Sequence, residues 1–182
     1  MLEKRGPQLL RILMLVLGLL ASGCASTRGS ARLIAPPQVG VSLSQFSNLL
    51  VEVECRPDIQ LTSSDKERIV NLIIKNINRD SSNRFTTVNQ TNAGPRTLYA
   101  SVMIKRYDQG NAFARAMLAG LGQMHIEADV TLRDGETKND IAQYEVSKTF
   151  AWGGVYGGLT GIEDIEDGFS QAVAASILGR KE

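Results

Sequence analysis

The run Met124-His125-Ile126-Glu127-Ala128-Asp129-Val130-Thr131-Leu132-Arg133 alternates apolar and polar residues without a break. In a strand, successive side chains point to opposite faces. Met124, Ile126, Ala128, Val130 and Leu132 are therefore expected inside, and His125, Glu127, Asp129, Thr131 and Arg133 outside. Asp134-Gly135 opens a turn, and Ile141 to Phe150 is expected to return as the hairpin partner. Upstream, Leu98, Ala100, Val102 and Ile104 alternate with Tyr99, Ser101, Met103 and Lys105, a second strand of the same period.

Further out, Leu49 to Cys55 is β-rich and ends at Arg56-Pro57-Asp58, while Phe85 to Val88 forms a short strand before the turn Asn92-Ala93-Gly94-Pro95. Thr62-Ser63-Ser64-Asp65 supplies caps for a helix reaching about Arg79, with Ile69, Leu72, Ile73 and Ile77 in one stripe. A last helix from about Ile162 carries Ile165, Phe169, Ala172, Val173, Ser176 and Ile177 on one side and stops at Gly179. The order of elements predicts a two-layer α+β domain over residues 46–180, a mostly antiparallel sheet with helices packed on one face.

The amino terminus has a different logic. Lys4, Arg5 and Arg11 precede the apolar run Ile12 to Ala21, and Ser22, Gly23 and Cys24 follow at once. Basic, apolar, then small is the order an export signal requires. The ten residues from Ile12 to Ala21 would reach about 15 Å as a helix, half the hydrocarbon core, so a membrane span is not expected. Residues 1–23 read as a signal peptide. Residues 24–45, Cys24 and then a small, polar stretch with Pro36-Pro37, read as a flexible tether.

Ala21-Ser22-Gly23-Cys24 resembles the bacterial lipobox, with Ala21 where leucine is commoner. The resemblance implies cleavage before Cys24, a diacylglyceryl group on its sulfur and an acyl chain such as palmitate on its freed amine. Several acyl chains hold a protein permanently where one is marginal. Ala25 follows the cysteine, and by resemblance to the sorting rule of enteric bacteria this implies the outer membrane, with the domain facing the periplasm. The region from about Leu49 to Leu178, with its alternating strand, Asp134-Gly135 hairpin, glycine cluster and acidic-led last helix, resembles a family of bacterial lipoproteins. Their shared domain is catalogued as of unknown function. That resemblance brings no catalytic residues.

Charge and composition exclude several classes. Without Lys4, Arg5, Arg11 and Glu3 the chain keeps 17 basic and 18 acidic residues, so no field draws in nucleic acid. His125 is the only histidine. It shares a face with Glu127 and Asp129, yet residues i to i+4 of a flat strand lie about 13 Å apart, too far for one metal ion. No nucleophile-elbow pattern surrounds any serine. Neither metal, cofactor nor catalytic residue is expected. Cys55, the one other cysteine, is expected either buried and inert or bridged to another chain.

Two stretches carry the binding expectation. Asn111 to Leu121 is small and apolar, a helix or loop packed on the sheet or else an exposed contact surface. Gly153, Gly154, Gly157, Gly158 and Gly161 crowd the other, read as a mobile loop in which Trp152 and Tyr156 are the candidate partner-binding anchors. The function expected is that of a non-enzymatic outer-membrane lipoprotein binding an envelope protein or peptidoglycan. An envelope hydrolase and a subunit of a homo-oligomeric secretion or assembly structure are the alternatives.

Overall fold

A computed structural model describes residues 28–37, 40–81, 83–90, 94–118, 121–151 and 154–180, with the backbone alone for 154–156. Six strands form one sheet: β1 (Ser30–Ala35), β2 (Asn48–Cys55), β3 (Thr87–Val88), β4 (Thr97–Asp108), β5 (Met124–Asp134) and β6 (Asp140–Phe150), in the order β1-β6-β5-β4-β2-β3. The pairs β1–β6, β6–β5 and β5–β4 are antiparallel, and β2 lies parallel to both β4 and β3. The helices are α1 (Ser63–Asp80), α2 (Ala112–Met117), α3 (Gly154–Leu159) and α4 (Ile162–Ile177). The architecture is the expected two-layer α+β domain.

The alternation in β5 decides the layering. Met124, Ile126, Ala128, Val130 and Leu132 are all 0% exposed, together with Leu98, Val102 and Ile104 of β4. Against this face lie Ile69, Ile73 and Ile77 of α1 and Ile165, Phe169, Ala172, Val173 and Ile177 of α4. Burying one such side chain contributes about 1.5–3 kcal/mol, so this face supplies most of the fold's driving force. Helix α4 is buried almost all round, because α1 flanks it and β6 and β1 lie beneath. Its Gly168, Ala172, Ala174, Ala175 and Ser176 are small for that reason.

Helix α1 starts where its cap chemistry says it must. The Thr62 hydroxyl accepts from the Asp65 amide at 3.2 Å, and the Asp65 carboxylate accepts in return from the Thr62 amide at 3.0 Å. Each partner satisfies an amide that the helix itself cannot.

Two expectations are corrected. Residues 24–45 are not tether throughout, since Ser30–Ala35 is a strand paired with β6. Period two was hard to see there because β1 is an edge strand with four of its six residues exposed, so burial imposes no alternation on it. Gly29 explains the docking: it is buried, its amide donates to the Gly168 carbonyl at 2.8 Å, and a Cβ there would meet the Ser147 carbonyl oxygen at 2.9 Å. Within the glycine cluster, the described residues Gly154 to Leu159 are likewise not a loop. Gly154–Leu159 is helical, and a Cβ on Gly158 would lie 2.9 Å from the Ala116 Cβ, so glycine lets α3 approach α2 closely.

Candidate functional site

A β-bulge sets the polar face of the sheet. The β4–β5 register shifts between Ile104 and Arg106, leaving Lys105 as the extra residue. Its ammonium lies 2.8 Å from Asp129 Oδ1, 3.0 Å from Glu127 Oε1 and 3.1 Å from Glu145 Oε1, three carboxylates on β5 and β6. Hydrogen bonding to Asp129 first, and to Glu127 and Glu145 after it, holds the Lys105 pKa above the ordinary lysine value. Glu145 also pairs with Arg32 of β1, so the charges form a chain across four strands. The ammonium takes the ground between the carboxylates that a bound cation would need. Among the described residues no group of three or more His, Cys, Asp or Glu side chains is placed to hold a metal ion.

His125 lies beside this chain, outward as its position in the strand requires. Its Nδ1 is 2.6 Å from Thr149 Oγ1, and its Nε2 is 3.4 Å from Glu127 Oε2.

The same bulge has an effect on the other face. Even-numbered residues of β4 point at the helices up to Ile104; beyond the bulge Tyr107 does so instead, paired with Ile126. Its hydroxyl donates to Glu166 Oε1 at 2.7 Å. Glu166, on α4 and 0% exposed, also accepts from Arg68 Nε at 2.6 Å and Nη2 at 2.9 Å. Arg68 reaches on to Asp65 Oδ1 at 2.8 Å. Hydrogen bonding to Glu166 raises the Arg68 pKa, and burial followed by the same carboxylate raises that of Tyr107. This buried carboxylate was not singled out in the sequence, where Ile162-Glu163-Asp164-Ile165-Glu166-Asp167 reads as a charged helix start. Its oxygens are filled by guanidinium and phenol, which makes the cluster a clip joining α1, β4 and α4.

The third feature stands at the end of the sheet where β4 and β6 stop and β5 begins. Arg115 of α2 is 2% exposed and pairs with no carboxylate among the described residues. Its guanidinium donates to four backbone carbonyls: Gly157 at 2.8 Å, Thr160 at 2.9 Å, Gly122 at 2.8 Å and Gln109 at 3.2 Å. One side chain thus ties α2 to α3 and to both ends of its own excursion. Gly110 (φ +62°) and Gly122 (φ +73°) close that excursion in the left-handed region, where L side chains are strained. A Cβ on Gly122 would also sit 2.4 Å from the Asn111 carbonyl oxygen.

With its one charge turned inward, this unit shows solvent an apolar surface. Phe113 is 72% exposed, Met117 68%, Leu121 60% and Leu159 81%, with Leu118 beside them. Single exposed apolar residues need no explanation, but a contiguous group does. The stretch Asn111 to Leu121 is therefore both of the things the sequence allowed, a short helix and an exposed surface.

Trp152 and Cys24 lie outside the described residues, as does the side chain of Tyr156 on α3. Cys55 is half-buried at the end of β2, its thiol 3.5 Å from the Ile59 carbonyl oxygen. Among the described residues no helix is long and apolar enough to cross a membrane.

Fold and surface together define a class: a two-layer α+β domain whose sheet carries a chain of paired charges across four strands and whose exposed apolar surface lies at one end of the sheet. The chain belongs to the family DUF4410, a domain of unknown function, whose model matches residues 47–154. This agrees with the resemblance to a family of unknown function drawn from the sequence. No curated protein matches the chain. Among solved structures it is similar to the PelC dodecamer from Paraburkholderia phytofirmans, at 12% identity and a TM-score of 0.54, covering 85% of this chain and 99% of that one. A second crystal form, of a PelC variant, gives 13% identity and 0.52 over the same shares. A Xanthomonas campestris protein of the DUF330 family gives 12% and 0.43 over 84% and 89%. Identities this low show likeness of fold alone.

Proposed function

We propose that this chain is an outer-membrane lipoprotein, anchored by acyl chains on Cys24 and facing the periplasm. Its domain works by binding and not by catalysis. The observation that carries the reading is the exposed apolar surface of Phe113, Met117, Leu118, Leu121 and Leu159. Catalytic sites keep titratable groups free to meet a substrate. Here Lys105, Glu127, Asp129 and Glu145 pair with one another, and Glu166 is occupied by Arg68 and Tyr107. The signal-like amino terminus supports the export and anchoring half of the reading.

A deletion strain complemented with variants tests it. Cys24→Ser should accumulate as uncut precursor without labelled palmitate, since the lipidated thiol is gone. Phe113→Ser with Leu159→Ser should abolish complementation at normal protein levels, while His125→Ala should complement fully. Loss with His125→Ala alone would put an envelope hydrolase ahead of binding.

One finding favours a second reading, a homo-oligomeric assembly subunit: the PelC chain whose fold it shares forms a dodecamer. The free edge of β1, where Leu33 is 46% and Ile34 50% exposed, gives a surface for such contact. Sedimentation of the purified lipoprotein as a monomer at cellular concentration would dismiss it.

A further inference from the structure

Three observations converge on what covers the apolar surface. The first is where the chain enters the domain. Strand β1 runs antiparallel to β6, with Ser30 opposite Ser147, so residues before Ser30 leave at the end of the sheet where β6 finishes. Lys148 Nζ donates to the Arg28 carbonyl at 3.3 Å, which holds the chain to that end. Helices α2 and α3 occupy the loops β4–β5 and β6–α4 at the same end. The second is reach: from Cys24 to Arg28 the chain extends at most about 14 Å. The third is charge. Gln109 to Gln123 and Ala151 to Gly161 contain a single charged side chain, Arg115, and its guanidinium is spent on buried carbonyls. In a chain that is 21% charged, two adjacent stretches free of outward charge let apolar side chains enter a lipid interface without desolvating a charge.

We infer that Phe113, Met117, Leu118, Leu121 and Leu159 dip into the interface of the same leaflet that holds the acyl chains on Cys24. The inference rests on the lipoprotein reading above and names the occupant of the surface described there. A lipid anchor alone leaves a domain free to tumble. Apolar side chains entering the headgroup boundary beside the anchor fix its orientation, with the α2–α3 end down and the Asp134–Asn139 turn pointing away. A carboxylate among these residues would resist entering the interface, and none is present. A folded protein partner, by contrast, commonly places a polar rim around its apolar centre.

The test uses the full chain, purified from membranes and reconstituted in vesicles of phosphatidylethanolamine and phosphatidylglycerol. In a Cys55→Ser background, an environment-sensitive fluorophore is placed at Met117→Cys and, as the distant control, at Glu136→Cys. Bromine carried on the lipid tails should quench the first label strongly and leave the second untouched. Adding Phe113→Asp and Leu159→Asp, both at exposed positions and so compatible with folding, should lower that quenching about tenfold. The mass of the amino-terminal peptide reports separately on lipidation. An unmodified Cys24 would sink the lipoprotein reading and this inference with it. A lipidated Cys24 with no quenching at position 117 would overturn the inference alone. Energy transfer between labels at 117 on neighbouring copies, without lipid quenching, would also overturn it and assign the surface to a second copy.

Discussion

Glu166→Ala is the substitution that tests most directly whether the buried cluster is a clip. Glu166 is fully buried and accepts three hydrogen bonds, two from Arg68 and one from Tyr107. Removing it leaves a phenol hydroxyl without its acceptor and a guanidinium half stripped of partners. Breaking a buried ion pair on one side costs about 3–5 kcal/mol. Arg68 is 33% exposed and keeps Asp65 at 2.8 Å, which places this case at the lower end, about 3 kcal/mol. Arg68→Ala should be worse, about 4 kcal/mol, because the carboxylate left alone has no route to water. The pair Arg68→Met with Glu166→Leu removes both charges together and should cost less than either single change, under about 2 kcal/mol. Equilibrium urea unfolding of the four proteins reads all of this, with Glu67→Ala on the exposed side of α1 as the neutral reference. If Glu166→Ala proved no more costly than Glu67→Ala, the clip would be wrong. If the apolar pair folded well but failed to complement, Glu166 would have chemistry to do.

Other outcomes follow from the same structure. Val130→Asp puts a carboxylate among residues that water does not reach and should cost about 4 kcal/mol, whereas Thr131→Asp, facing outward, should stay within about 1 kcal/mol by thermal melting. Gly29→Val should cost about 1–3 kcal/mol, since its Cβ would press on the Ser147 and Gly168 carbonyl oxygens and on Ala172; a silent Gly29→Val would return residues 28–35 to the tether. Stability should fall in acid. The Thr62 hydroxyl and amide hold the Asp65 carboxyl below its ordinary range, Arg32 does so for Glu145, and the Gly110 amide for Asp108. A depressed folded pKa gives stability that is present above the unfolded value of about 4 and lost as pH falls through the folded one. Melting temperatures from pH 7 to pH 3 should therefore drop below about pH 4, and less steeply in Asp65→Asn.

The parts of the fold legible from sequence were those in which burial and local period coincide. In β5 every second residue meets the helices, so the pattern was complete over its whole length. In β4 it ran to Lys105, and the strand then continued for three residues that the alternation did not cover, because the bulge at Lys105 inverts the phase. Strand β1 gave no pattern at all, since an edge strand lying over α4 through one glycine has little burial to record. The parallel pairing of β2 with β4 was not legible either. It depends on α1 returning the chain to the far end of the sheet, a long-range fact that no local window contains.

The apolar surface was legible only as one of two alternatives, for a different reason. Trp152 and the side chain of Tyr156 lie outside the described residues; the stretch Asn111 to Leu121 was legible as one of two outcomes, packed or exposed, and the structure exposes Phe113 there and Leu159 beside it. The distinguishing signal was present in the placement of charge. Arg115 sits alone in a small, apolar stretch, and an isolated arginine there has two outcomes: it faces water, and the helix buries its apolar side, or it turns inward and the apolar side faces out. The residue types around Arg115 do not choose, because the acceptors that stabilise the inward state are carbonyls of residues 109, 122, 157 and 160, supplied by backbone whatever the side chains. Backbone acceptors leave no compositional trace. The glycines do: Gly110 and Gly122 close the loop tightly enough for those carbonyls to converge, and Gly158 lets α3 bring two more within reach. The spacing of these glycines is thus the record of where Arg115 goes. Because its charge goes inward, Phe113, Met117 and Leu159 are left to face whatever lies beyond that end of the sheet.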